Sequence, residues 1–205
     1  MPDAMIPRTV IPYTVEPRPD TGLSNVKIGV WLFLASEVML FGGLFAGYII
    51  LRVGSTDWLP GSAFGLSVPL AFANTLVLTI SSITMVAAWI SLLRKRFSQY
   101  RRYMGSTLLC GLIFLVLTGF EFAGRLRQDQ YPSTHIFLAL YFTLTALHGL
   151  HLIAGMGYNA YLWGPGSRMW ETAPEQFTQR VEASGLFWHL VALVWILLFP
   201  MLYLL

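Results

Sequence analysis

WLFLASEVMLFGGLFAGYII, residues 31–50, is almost wholly apolar and carries one ionisable side chain, Glu37. Twenty residues in a helix rise about 30 Å, the thickness of a bilayer's hydrocarbon core. The stretch therefore reads as a membrane span. Its acid then needs an explanation. A carboxyl group inside a membrane costs roughly 3 kcal/mol or more unless it is neutral or paired, so Glu37 is a functional candidate and the rest of the chain has to supply its partner.

The wider composition agrees with a membrane setting. The 205 residues are 56% hydrophobic and 11% charged, whereas a soluble domain carries about 25% charged residues. A net charge of +3 in such a chain reports orientation and not nucleic-acid binding. Cys110 is the only cysteine, which excludes a disulfide framework and a cysteine-based metal or iron–sulfur site within the chain. Residues 1–27 carry Pro2, Pro7, Pro12, Pro17 and Pro19, which forbid a continuous helix. They read as an extended, proline-rich cytoplasmic arm, followed by a membrane domain over residues 28–205.

Five segments are long and apolar enough to span: about 28–52, 69–93, 103–124, 134–158 and 184–205. The expected fold is all-α, a polytopic bundle of five transmembrane helices. With the N-terminus inside, the inner side holds Arg8, Arg18, Lys27, Arg94, Lys95, Arg96, Arg101, Arg102, Arg168 and Arg180, against Arg52, Arg125 and Arg127 outside. Ten against three predicts a cytoplasmic N-terminus and a periplasmic C-terminus. Trp58, Trp163 and Trp170 fall near span ends, where indoles favour the interface.

Within the spans the ionisable groups are Glu37, Glu121, His148, His151 and His189, with His135 at the start of the fourth. Helical rise places Glu37 about 14 Å and His189 about 8 Å from the inner ends of their spans. His148 and His151 fall in the inner half of a span running inward, so four of the five groups share one leaflet. Glu121 lies near the outer end, four residues before Arg125, which makes an i,i+4 pair one explanation for it. HGLH puts His148 and His151 on adjacent positions of one helical face. With His189 and Glu37 they offer a possible metal site, or else neutral imidazoles hydrogen-bonding between helices or to lipid head groups. No Glu-x-x-His pair of the di-iron type is present. Gly43 and Gly47, with Gly42 and Ala46, allow close backbone approach, and Asn74, Thr75, Ser81, Ser82 and Thr84 offer hydrogen bonds between helices.

GVWLFLASEVMLFGGLFAGY, ANTLVLTISSIT, GFEF, LHGLHLIAG and LFWHLVALVW, in this order over residues 24–205, resemble subunit III of haem–copper terminal oxidases in its short five-helix bacterial form. The resemblance implies that Glu37 is the family's carbodiimide-reactive membrane carboxylate and that Glu121 is the third-span acid. It further implies that His148, Gly149 and His151 form the His-Gly-x-His motif, and that Trp188, His189 and Trp195 form the terminal-helix motif. Ala192 stands where many members carry Asp, and Thr118 and Phe122 stand where many carry Gln and Tyr. The function implied is that of an accessory, non-redox subunit of a respiratory oxidase that reduces O2 to water and pumps protons. Such a subunit stabilises the catalytic subunit, its bound phospholipid and its proton uptake. The partners implied are the catalytic subunit I, subunit II and membrane lipids, with haem and copper held in the partner subunits and none in this chain. The location implied is a bacterial inner membrane. A nitric oxide reductase accessory subunit of the same family, or a stand-alone haem or metal protein using the histidines, are the alternatives.

Overall fold

A computed structural model describes residues 22–205, so residues 1–21 of the arm expected over residues 1–27 lie outside the described residues, and its last three residues belong to the first helix. Every regular element among the described residues is helical, and none is a strand. Its elements are α1 (Asn25–Gly54), α2 (Val68–Leu93), α3 (Phe97–Arg127), α4 (Ile136–Trp163), the short α5 (Met169–Thr172) and α6 (Pro174–Phe199). Single 3₁₀ turns precede α2 and α5, and a π turn, Pro200–Leu204, closes the chain. Five helices are long and apolar enough to cross a membrane, which is the number read from the sequence. The molecule is therefore a polytopic all-α protein.

The helix ends differ from the expected spans, for physical reasons. α1 starts at Asn25 because Ser24 caps it, accepting from the Lys27 amide at 3.4 Å. α3 starts at Phe97, so the basic run RKRFSQYRR is mostly helix; Lys95, in left-handed conformation at φ 55°, makes the reversal from α2. α6 starts ten residues early, at Pro174. Proline's fixed φ suits the first helical position, and Phe177 and Val181 are buried. Phe177 packs with Phe97, Tyr100 and Trp170. Its last turn widens after Pro200, which has no N–H to donate and whose ring crowds the preceding turn.

α2 packs along α3 and α6, α4 packs against α3 and α6, and α1 lies against α6. Only a narrow stripe of α1 is buried: Leu34, Phe41 and Tyr48, seven residues apart. The small residues of α1 point elsewhere, since a Cβ added at Gly42, Gly43 or Gly47 would meet nothing within 4 Å. Close approach occurs instead at Gly111 on α3 and Gly155 on α4, where an added Cβ would come within 3.0 Å and 3.2 Å of the Trp188 ring.

Gly61, in the 3₁₀ turn, is the tightest point of the loop between α1 and α2. An added Cβ would collide with the backbone carbonyl of Leu202 and stand 3.2 Å from the Phe137 ring. Backbone cannot swing aside as a side chain does, so Gly61→Ala should cost about 1–3 kcal/mol of stability, read as a lower thermal midpoint. An unchanged midpoint would mean that the loop does not dock on the C-terminal turn.

Candidate functional site

Glu37 follows Leu34 by three positions, which puts it on the buried stripe of α1. Its Oε2 lies 2.8 Å from Nε2 of His151 on α4. His151 Nδ1 lies 2.8 Å from the Leu147 carbonyl one turn back. A carbonyl only accepts, so Nδ1 carries a hydrogen. The contact between Nε2 and the carboxyl group then requires one shared proton. Whether that proton rests on nitrogen or on oxygen, the pair has no net charge. This is how the apolar span accommodates its acid. Phe41 sits edge-on to the imidazole at 5.1 Å and Phe187 lies 6.4 Å away. Ser36, one candidate partner for Glu37, instead donates to its own helix at the Phe33 carbonyl.

Two further ties bracket this pair along α1. Lys27 bridges Glu182 of α6 at 2.9 Å, and near the other end of α1 Tyr48 donates to the Met201 carbonyl. Lys27 and Tyr48 are about 31 Å apart along the axis, close to the hydrocarbon thickness, and Glu37 lies about 15 Å from Lys27. The acid sits about midway between the two ties.

Glu121 occupies a second polar centre at the Gly61 end of the bundle. The i,i+4 pair with Arg125 forms, Nη2 to Oε1 at 3.3 Å, with both side chains 6% exposed. It belongs to a larger network. Tyr203 donates to Glu121 Oε2 at 2.8 Å. Arg125 also donates to the Phe64 carbonyl, and to that of Gly65 at 3.0 Å. Gln130 reaches the Phe64 carbonyl at 3.4 Å. It gets there because Asp129 adopts a left-handed φ of 56° and turns the chain back after α3. Sequence reasoning missed Tyr203, whose only signal was a lone phenol in an apolar tail. Phe122 packs edge-on against Phe142 at 4.5 Å.

The three intramembrane histidines do not converge. His148 is 1% exposed and faces α3 and α6, with Phe114 at 5.7 Å and Trp195 at 5.3 Å. His189 faces α2 beside Met85, Val86 and Trp89. Among the described residues no three of His, Cys, Asp or Glu come together as a metal site would require. His135 caps α4 instead: its Nδ1 accepts from the Phe137 amide, so Nε2 is the nitrogen that donates to the Asp57 carbonyl.

Trp188 and Asn74 lie between helices. The Trp188 indole donates to Ser81 Oγ at 3.1 Å, Trp195 donates to Thr75 Oγ1 at 3.0 Å, and Asn74 Nδ2 donates to Thr118 Oγ1 at 3.3 Å. Of the tryptophans expected at the interface, Trp163 is 38% exposed and donates to the Arg101 carbonyl. Trp58 turns inward, edge-on to Tyr48 and Phe137.

The family model described as cytochrome c oxidase subunit III matches residues 20–205. The chain is 32% identical to cytochrome bo(3) ubiquinol oxidase subunit 3 of Pseudomonas aeruginosa, over 90% of this chain and 87% of that one. It is 30% identical to cytochrome c oxidase subunit 3 of Alkalihalophilus pseudofirmus, over 88% and 86%. It is 32% identical to the protein of that name in Synechocystis sp., over 86% and 74%.

Proposed function

Because the chain belongs to the cytochrome c oxidase subunit III family, and so is an accessory subunit of a haem–copper oxidase, we propose that it stabilises the catalytic subunit, holds phospholipid and supports proton uptake without taking part in electron transfer. The observation that carries this reading is the Glu37–His151 pair. It is a single-proton hydrogen bond with no net charge, near the middle of an apolar helix, with side chains 13% and 15% exposed. The pair stands on a helix whose other faces are free of this chain. Trp31, Leu32, Met39, Ile50 and Val53 of α1 are all exposed, an apolar surface suited to lipid or to a neighbouring subunit. Beside it a groove of about 360 Å³ runs between α1, α4 and α6, lined by Val30, Phe33, Gly155 and Phe187, with Arg180 also lining it. An acyl chain suits its walls, and a phosphate suits the guanidinium.

In this reading haem and copper lie in the catalytic subunit and in subunit II, and the complex sits in a bacterial inner membrane. Loss of this chain should leave the metal spectra and the initial oxygen uptake intact. It should shorten the active life during turnover and lower proton ejection per electron at high pH, where proton supply limits. The comparison is between complexes purified with and without the chain. Stoichiometric loss of a metal centre on its gentle removal would overturn the reading.

The orientation proposed is N-terminus cytoplasmic. Ser98, at the start of α3, and Ser62, in the opposite loop, are both exposed and suit cysteine labelling. In intact cells a membrane-impermeant thiol reagent should modify Ser62→Cys once the outer membrane is permeabilised. It should spare Ser98→Cys, and modification of Ser98→Cys would reverse the assignment.

A further inference from the structure

We propose that the α2–α3–α4 interface is a binding site for ordered water, with at least one molecule held by Thr145, His148 and Asn74. Three observations converge there. First, His148 is 1% exposed, and among the described residues neither Nδ1 nor Nε2 has a hydrogen-bond partner. A neutral imidazole always presents one donor and one acceptor, so burial leaves two valences open. Second, the Thr145 hydroxyl, on a side chain 3% exposed, has no partner among the described residues, and neither has Oδ1 of Asn74, 1% exposed. Buried polar groups in folded proteins are nearly always satisfied, by protein or by water.

Third, Thr118 links these groups across one interface. Thr145 and His148 are three residues apart on the inward face of α4, about 5–6 Å between Cβ atoms. One water making two bonds of about 2.8 Å at a roughly tetrahedral angle bridges polar atoms about 4.5 Å apart, a separation that side chains so placed can adopt. Asn74 of α2 binds Thr118 of α3 through its amide nitrogen. Thr118 and Thr145 line the same groove, of about 400 Å³, between α3 and α4. The set provides an amide oxygen that accepts, a hydroxyl that does both, and an imidazole that does both. Water donates twice and accepts twice, which suits this mixture. A lipid chain or an apolar gas cannot satisfy it. Buried waters typically make about three hydrogen bonds. His148 and Asn74 do not line this groove, whose other walls include Leu115, Phe122, Leu126 and Ile153, so the water is placed behind Thr118 and Thr145 and not in the open groove.

The test uses the complex purified from native membranes. In a high-resolution cryo-electron microscopy map of the unmodified complex, a solvent peak should lie about 2.6–3.2 Å from Thr145 Oγ1 and from one His148 ring nitrogen. The absence of a peak there, in a map that resolves other buried waters, would overturn the proposal. Independently, in solid-state NMR of the ¹⁵N-histidine-labelled complex in lipid, magnetisation from water should reach the His148 ring nitrogens at short mixing times. Thr145→Val should reduce that transfer several-fold, with the His151 signal, assigned by His151→Gln, as an internal control. Transfer that is absent from the unmodified complex, or unaltered in Thr145→Val, would count against a site built by these residues.

Discussion

Arg125→Met should destabilise the protein by about 3–5 kcal/mol, the largest loss expected from any single substitution. The guanidinium serves four acceptors: the Glu121 carboxyl group, the Phe64 and Gly65 carbonyls and Gln130. Methionine fills most of the same volume, so packing changes little. What remains is an acid 6% exposed with only Tyr203 to satisfy it, beside two loop carbonyls that have lost a donor. Glu121→Gln should cost less, because an amide oxygen still accepts from Arg125 and Tyr203. The double variant Arg125→Met, Glu121→Gln should recover part of the loss, since no unpaired charge then remains buried. Denaturant midpoints of the four proteins give the comparison. Proteolysis between α1 and α2 should rise in parallel, because Arg125 is what fastens that loop. A loss below about 1 kcal/mol for Arg125→Met would place the network in water and not in the protein.

The second large effect concerns Glu37 and His151. Glu37→Leu and His151→Leu should each cost about 2–3 kcal/mol, while the double variant should cost clearly less than their sum. The expected coupling is about 1.5–3 kcal/mol, as for a hydrogen bond to a charged group. Glu37→Gln should be nearly neutral in stability, because its amide can donate to Nε2 and keep the contact. It would nevertheless remove the shared proton, so any function that depends on that proton should fail in Glu37→Gln although the fold survives. Simple additivity of the two leucine variants would show that the contact contributes nothing. The same pair makes Glu37 the expected target of a hydrophobic carbodiimide, which attacks protonated carboxyl groups. Glu121, facing Arg125 behind the loop, should be spared. Equal labelling of the two acids would contradict the assignment of one shared proton to the Glu37 pair.

Much of this architecture was legible in the chain. Five apolar runs separated by Pro, Gly and charged residues are five helices. The i,i+4 spacing of Glu121 and Arg125 is a contact because helical geometry requires adjacency there. Glu37 stood out by being an acid in a span. Helix ends were less legible. Lys27–Glu182 and the aromatic packing of Phe177 extend α1 and α6 beyond the apolar runs, and no count of apolar residues anticipates them.

Partners were the part that only the tertiary structure decided. HGLH reads as two equivalent histidines on one face. Folding sends His151 to Glu37 of α1 and His148 to Phe114 and Trp195 between α3 and α6, while His189 turns to α2. The glycines of α1 look like a packing motif, yet Trp188 is received by Gly111 and Gly155. The physical reason is the solvent. In water, a helix shows its inward face by its apolar side. In lipid both sides are apolar, and the rotation of each helix is set by shape and by a few hydrogen bonds to residues far away in sequence. Sequence therefore determined how many times this chain crosses the membrane and which residues are costly there. The rotation of each helix, and with it the choice of His151 for Glu37 and Tyr203 for Glu121, was decided only when the five helices packed together.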